Sequence, residues 1–470
     1  MVDVCEFGQL GPDDWSDDAV WIITSSFMVY TMQSGFALLT AGWVSRKNEI
    51  AVMMKVATNV IFCGFGYWVY GFGLTYGSTF INNPYFGLGC LFVKAKNDQI
   101  MGRVYAPYLF QLSLVLASAS IMSSAIPERC KFIPFCIFSL FYPFIYSVPA
   151  GWLWTKDGFL RNLGAFDLAG AGPVHLVGAV SGGVASYLLG PTLQFMENKR
   201  EKNKSKHREN HILGSPMSAI LGFLMLWWGW LGMNCGSTFG ISGKKWKYAA
   251  RAAGSTINAS VSGGAFGLVY SFFRYKRVYS VPTLMKAMVA SLVSVTAGSV
   301  VIHPWESIFI GTIGSMIAVL SSAVVARLGI DDPVGAISSH GVCAVWGILA
   351  VGLFAHKDDV LDLTQGLGGL IHTGDFTLLG VQSLLAVCCA LWAAVTSFIC
   401  LYPLHKIMGL RVSAEEEKIG LNLHDHDVDT DTGHDTTFEP PNRYIHPFKT
   451  KASLRSVIQF FKKQVKKRSS

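Results

Sequence analysis

The sequence predicts an all-α polytopic membrane protein: eleven transmembrane helices, built as inverted five-helix repeats plus one extra helix, with the N-terminus out and the C-terminus in. Three observations carry that prediction. Charged residues make up only 14% of the 470 residues and apolar ones 51%, against about 25% charged in soluble proteins, and the mean hydropathy is +0.39. The apolar residues gather into runs of bilayer-spanning length, and one sixteen-residue pattern occurs twice. This composition excludes a soluble multidomain protein.

A helix needs about 20 mainly apolar residues to cross the hydrocarbon core, and its backbone must be hydrogen-bonded within the segment. In order, the runs are 18–43, 49–73, 105–126, 131–151, 168–191, 213–236, 250–273, 281–301, 306–328, 335–355 and 378–405. An odd number of spans puts the termini on opposite sides, and Lys and Arg decide which is which. Arg46 and Lys47 follow the first span, Arg129 and Lys131 the third. Lys199, Arg200, Lys202, Lys204, Lys206 and Arg208 follow the fifth, and Arg274, Lys276 and Arg277 the seventh. These loops share a side with the C-terminal tail, which is therefore cytoplasmic. The acidic N-terminus, with Asp3, Glu6, Asp13, Asp14, Asp17 and Asp18, lies outside, and Lys244, Lys245 and Lys247 after the sixth span run against the rule. The chain thus divides into an extracellular N-terminus (1–17), an eleven-helix domain (18–405) and a cytoplasmic tail (406–470). The first residues lack a basic stretch followed by an apolar core, so the first span serves as the targeting element. Cys63, Cys136, Cys388, Cys389 and Cys400 fall inside spans as packing residues. Cys5 and Cys90 both fall outside and form a candidate disulfide pair.

The repeat points at a site. DLAGAGPVHLVGAVSG from Asp167 and DPVGAISSHGVCAVWG from Asp332 match without gaps at Asp167/Asp332, Gly170/Gly335, Ala171/Ala336, His175/His340, Val177/Val342, Ala179/Ala344, Val180/Val345 and Gly182/Gly347. The first copy opens the fifth span and the second the tenth, which run in opposite directions; these are inverted halves, spans one to five against six to ten. Each histidine lies eight residues beyond its aspartate, about 12 Å into the bilayer at ~1.5 Å per residue. From opposite faces of a ~30 Å core, both approach the midplane. A lone intramembrane histidine is often a helix–helix hydrogen-bonding residue; two related by symmetry face a pathway. A neutral pair sharing a proton suits a small, nearly neutral hydrogen-bonding solute. No set of metal ligands clusters nearby in sequence, so no metal and no cofactor is expected. Each aspartate either caps a helix or, for Asp167, also draws cations toward the entrance. The chain carries no HExxH, Walker A or GxSxG motif, so an enzyme is not expected, nor is a nucleic-acid partner.

FDLAGAGPVHLVGAVSGG (166–183) resembles the signature of the ammonium transporter (Amt/Mep/Rh) family, on its ammonium transporter branch. FALLTAGWVSRKN (36–48), AIPERCKF (125–132), WWGWLGMNCGS (227–237), DDPVGAISSHGVCAVWG (331–347) and LRVSAEEEKIGL (410–421) extend the likeness over the transmembrane region in the expected order. The resemblance implies eleven helices around one pore per subunit, a homotrimer in the plasma membrane, and ammonium or ammonia as the substrate. His175 and His340 then fall on the pore-lining pair, Trp154 and Ser237 on the outer recruitment site, and Asp167 on the aspartate beside it. Ammonium would be recruited there, deprotonated, and conducted as ammonia. Leu114 and Met233 stand where the family has two stacked phenylalanines, so an apolar gate survives without an aromatic share in cation binding. Thr40 replaces a glutamate of FALLEAG-type versions. Alternative readings are an ammonium sensor or transport-coupled receptor with low flux, and a channel for neutral gases.

The tail has three parts. Residues 410–423 resemble the family's segment that contacts the neighbouring subunit, with Asn422 where an aspartate is common. Residues 424–436, acidic and His-rich, read as a solvated linker. In residues 449–468, Val457, Ile458, Phe461 and Val465 share one helical face among lysines, a pattern for the lipids of the anionic inner leaflet.

Overall fold

The computed structural model describes residues 15–77, 83–202 and 213–428. The expectations placed on Cys5, on Asp3, Glu6, Asp13 and Asp14, on Lys204, Lys206 and Arg208, and on the tail from 429 onward lie outside the described residues.

Each predicted run is helical. The elements are α1 (Trp15–Trp43), α2 (Arg46–Tyr76), α3 (Asp98–Ser124), α4 (Phe132–Trp154), α5 (Ala171–Leu189), α6 (Pro216–Gly236), α7 (Lys245–Arg274), α8 (Val281–Thr296), α9 (Glu306–Arg327), α10 (Ile337–Phe354) and α11 (Thr377–Met408). Among the described residues nine helices are long and apolar enough to cross a membrane; α8 is apolar but shorter, and α7 is long but more polar. The helix starts follow local chemistry. Asn97, Ser215 and Ser280 accept side-chain caps from the backbone N–H groups of Ile100, Ser218 and Thr283, and prolines occupy the first turns of α6 and α8. The outer surface is apolar, as lipid requires: on α11, Leu391, Val395 and Ile399 are 61%, 55% and 62% exposed.

The polar residues of α7 are spent inside the bundle. Thr256 accepts from Asn234 Nδ2 at 2.9 Å and Ser260 from Trp227 Nε1 at 3.1 Å, both donors on α6. Small residues set how closely helices pass. A Cβ on Gly178 would meet Ser118 O at 2.7 Å, and one on Gly347 would meet Ser294 O at 2.7 Å. Along α5 and α10 the contacts run in opposite senses: Ser186 Oγ donates to Asp331 O, Gly183 faces Ile337, and Gly341 faces Ala179. Residue numbers rise on one helix as they fall on the other, so the two repeat helices pack antiparallel.

The loops carry their own polar scaffolds. Lys245, one of the lysines that runs against the charge rule, pairs with Asp18 at 2.6 Å, so its charge is neutralised within the fold. Cys90 is disulfide-bonded. Arg129 is fully buried, donating to Ser186 Oγ and Asp331 O, and Glu128 Oε1 accepts from Ser45 N and Oγ and from Asn48 Nδ2. The segment after α11 docks on this scaffold. Asn422 Oδ1 accepts from Ala51 N at 3.0 Å while its Nδ2 donates to Arg46 O at 2.9 Å. Lys47 Nζ donates to the carbonyls of Glu417 and Lys418, and Glu417 joins Arg411 and Leu193 N.

Candidate functional site

The two repeats build the same local structure. Asp167 Oδ1 accepts from Gly170 N and Ala171 N at 2.9 and 3.0 Å, and Oδ2 accepts from Gly172 N at 2.7 Å. Asp332 accepts from Ala336 N, Ile337 N and Ser338 N at 2.7, 2.9 and 3.4 Å. Gly170 and Gly335 have φ of +90° and +80°, a left-handed conformation that favours glycine. Each helix then opens with a wide π-turn, Ala171–Leu176 and Ile337–Val342, and each π-turn carries its histidine. Such turns are frequent at functional sites. The eight-residue offset between aspartate and histidine is thus the distance from a helix cap to a wide turn.

Those turns bring the histidines together. His175 Nδ1 and His340 Nδ1 lie 3.2 Å apart, with ring centroids 5.2 Å apart at 28°. Both are buried. Trp230 stacks on His175 at 5.1 Å and 13°, and lies 6.1 Å from the ring of His340; its Nε1 donates to Thr296 Oγ1 at 3.0 Å. Phe36 lies 6.1 Å from His340. His175 Nε2 is buried without a hydrogen-bond partner, an unusual state for a ring nitrogen inside a protein. On the other side of His340, a small cleft is lined by Phe36, Ser124, Lys286, Gly335 and Ser339 among others. Thr40 lies deep in the same region, its hydroxyl 3.0 Å from Ser124 Oγ.

Trp154, half-buried, donates from Nε1 to Asp167 O at 2.9 Å, and a Cβ on Gly170 would meet its ring at 3.2 Å. Trp154 and Asp167 therefore stand together at the mouth of α5. Ser237 follows the last residue of α6 and donates its hydroxyl to Met233 O at 2.7 Å. Met233 and Leu114 are both fully buried. One turn before Leu114 on α3, Phe110 meets Phe239 edge to face at 5.3 Å.

Sequence reasoning gave no role to Trp230. The signal was present: Trp230, Met233 and Ser237 are spaced three and four residues apart and so share one face of α6, with Ser237 about 10 Å along the axis from Trp230. A roomier cleft lies elsewhere, among apolar side chains such as Val180, Val184, Val345 and Phe398. It offers little for a polar solute.

Comparison with known proteins identifies the family. The signature of the Ammonium Transporter Family matches residues 20–430. Putative ammonium transporter 3 of Caenorhabditis elegans is 39% identical over 422 residues, covering 88% of this chain and 60% of its own length. Putative ammonium transporter 2 of the same organism is 35% identical, covering 87% and 81%. The solved structure of a "Sensor Amt Protein" superposes with a TM-score of 0.76 at 28% identity, covering 88% of this chain and 99% of that one. The chain belongs to the Ammonium Transporter Family.

Proposed function

We propose that the protein transports ammonium across the plasma membrane: Trp154, Ser237 and Asp167 recruit the cation at the outer mouth, it gives up its proton, and ammonia passes an apolar gate at Leu114 and Met233 and then His175 and His340. The paired imidazoles carry this reading. One proton between two Nδ1 atoms makes one ring a donor there and the other an acceptor. The donating ring keeps a bare Nε2, and the accepting ring carries its hydrogen at Nε2. The pair thereby offers the path one acceptor and one donor, matching a solute that is both. The unpartnered Nε2 of His175 is the kind of position such a solute would fill.

The entry side fits a cation. Ser237 gives its own proton to Met233 O, which leaves the hydroxyl lone pairs to accept from ammonium, and the C-terminal end of α6 adds a partial negative charge. An aromatic face such as Trp154 contributes ~0.5–2 kcal/mol by cation–π attraction. Further in, an isolated cation is costly, and ammonium avoids that cost by losing its proton. Relatives carrying the name ammonium transporter support the same substrate. The assembly proposed is a homotrimer with the N-terminus outside, one pore per subunit, and a C-terminal segment that also reaches the neighbouring subunit or the inner leaflet.

The test is reconstitution in liposomes with solid-supported-membrane currents and an internal pH dye after ammonium pulses. The expected result is a saturable response that disappears in a His175→Ala/His340→Ala double variant. Parent protein that yields neither current nor internal pH change, or a double variant with unaltered ammonium-specific flux, would refute the proposal.

A further inference from the structure

We propose that Glu306, His356 and His372 form a binding site for a zinc-class divalent cation at the end of the bundle where α9 begins and α10 ends. The three side chains come from separate segments. Glu306 opens α9, His356 lies two residues past the end of α10, and His372 sits in the short helix Leu370–Thr373 before α11. Their potential ligand atoms all lie within 4.8 Å of one another. Glu306 Oε1 is 3.1 Å from His356 Nε2 and 2.8 Å from His372 Nε2. The other carboxylate oxygen accepts from the His303 backbone N–H at 2.7 Å and also lies 3.2 Å from His356 Nε2, so Oε1 faces both rings and Oε2 only that of His356.

Those spacings suit a metal. Zinc binds imidazole nitrogen and carboxylate oxygen at about 2.0–2.2 Å in tetrahedral geometry, which places neighbouring donor atoms about 3.3 Å apart. The two carboxylate–imidazole contacts, at 3.1 and 2.8 Å, need to lengthen by only a few tenths of an ångström to admit the ion. The donor set is two imidazole nitrogens and one carboxylate oxygen, a set that suits borderline cations such as Zn(II) or Co(II) better than oxygen-seeking Ca(II) or Mg(II). It leaves a fourth position for water. Access also fits: the Glu306 side chain is fully buried, while those of His356 and His372 are 29% and 27% exposed, so the ion would enter from solvent onto a fixed carboxylate. The rings are already gathered, with His356 and His372 centroids 3.8 Å apart and His303 packed 4.0 Å from His356 on the far side. Bound metal would tie the start of α9 to the segments that follow α10 and precede α11. The sequence does not announce this cluster, because Glu306 is separated from the two histidines by 50 and 66 residues and the three share no spacing motif.

The experiment uses the full-length purified protein, stripped with chelator and titrated with Co(II), followed by visible absorption and thermal unfolding, then by competition with Zn(II). The expected result is one Co(II) per chain with a tetrahedral ligand-field spectrum, displaced by Zn(II), and a melting temperature that rises until the site is full. His372→Gln keeps a hydrogen-bond donor for Glu306 but is a poor ligand, so it should fold normally, transport normally in chelator, and bind on the order of 100-fold more weakly. His356→Ala/His372→Ala should lose the spectrum altogether. No binding by the parent protein would overturn the proposal and leave a hydrogen-bonded His–Glu cluster. Binding unchanged in both variants would also overturn it, placing the ion on other histidines such as those of the tail.

Discussion

Replacing Asp167 by Asn asks whether the carboxylate acts as a helix cap or as a source of field for the incoming cation. In the structure it accepts three backbone N–H bonds, and the tightest, 2.7 Å, runs from Gly172 N to Oδ2. Asparagine can keep Oδ1 in place for Gly170 and Ala171, but its amide nitrogen then confronts the Gly172 N–H, donor against donor. One charge-assisted bond is lost, worth about 1.5–3 kcal/mol, and the favourable interaction of a negative charge with a helix start goes with it, roughly 0.3–1 kcal/mol. The expected loss is about 2–4 kcal/mol. Because membrane proteins often unfold irreversibly, parent and variant should be compared at one heating rate in one detergent; the variant should melt several degrees lower. Transport should fall in maximal rate, because the cap positions the π-turn that carries His175. An Asp167→Asn protein with the parent's melting temperature and a raised half-saturating ammonium concentration would refute this reasoning and assign the carboxylate to cation recruitment alone.

Three further outcomes are expected. Gly420→Ala should release the segment after α11 from the first loop, since a Cβ there would lie 2.7 Å from Lys47 O and 2.6 Å from Lys47 Cβ; hydrogen exchange of 414–428 should accelerate, and unchanged protection would count against the docking described above. The same segment should respond to pH. His424 is held above the ordinary histidine value near 6.5 by its hydrogen bond to Asp425 and then by the charges of Asp425 and Glu416, with burial opposing. Its stabilisation is therefore complete below about pH 6.5 and is lost as pH rises through the higher folded-state value, so protection factors across residues 414–426, corrected for base-catalysed intrinsic exchange, should fall toward alkaline pH, and His424→Gln should flatten that dependence. Met233→Phe restores an aromatic face at the gate; cation–π attraction of ~0.5–2 kcal/mol corresponds to about a 2- to 30-fold lower half-saturating ammonium concentration, offset by about 1–3 kcal/mol of overpacking at a fully buried position. An unaltered ammonium dependence in a stably folded variant would show that the gate does not contact the cation.

The helices were legible because a bilayer leaves few alternatives to a continuous apolar helix. The errors are local. The run 281–301 reads as one span, yet α8 stops at Thr296 and the chain turns through Gly298, freeing Ala297 O to accept from Leu168 N at 3.0 Å. An apolar stretch cannot announce that its last carbonyl has a partner more than a hundred residues away. The pairing of His175 with His340 was legible because the repeat fixes depth from both ends. Trp230 was not, because a tryptophan in an apolar span reads first as packing, and its role depends on which neighbour it faces. The tail segment resembles one that reaches a neighbouring subunit, and within its own chain it also docks on residues 46–51. Asn422 explains its own departure from aspartate: it must donate as well as accept, which a carboxylate cannot do.

The histidine geometry is a consequence of the two helix starts rather than of the rings alone. Among the described residues, His175 and His340 make no side-chain hydrogen bond other than to each other, and their rings pack against Trp230 and Phe36, so the position of their Nδ1 atoms is set chiefly by the backbone. The backbone is set by the two aspartate caps, the two left-handed glycines and the two π-turns, which enter from opposite ends of an antiparallel pair. A slip of one residue at either cap moves its ring by about 1.5 Å along the axis and 100° around it, enough to break a 3.2 Å contact. The matched halves therefore act as a register device: each cap fixes one imidazole, and the shared proton exists only when both are in place. That coupling predicts that Asp332→Asn, on the opposite side of the bundle, should impair ammonium flux through the same loss of pairing as Asp167→Asn, although Asp332 lies far from the recruitment site. Normal flux in Asp332→Asn with a measured loss of stability would show that the pair tolerates such slippage.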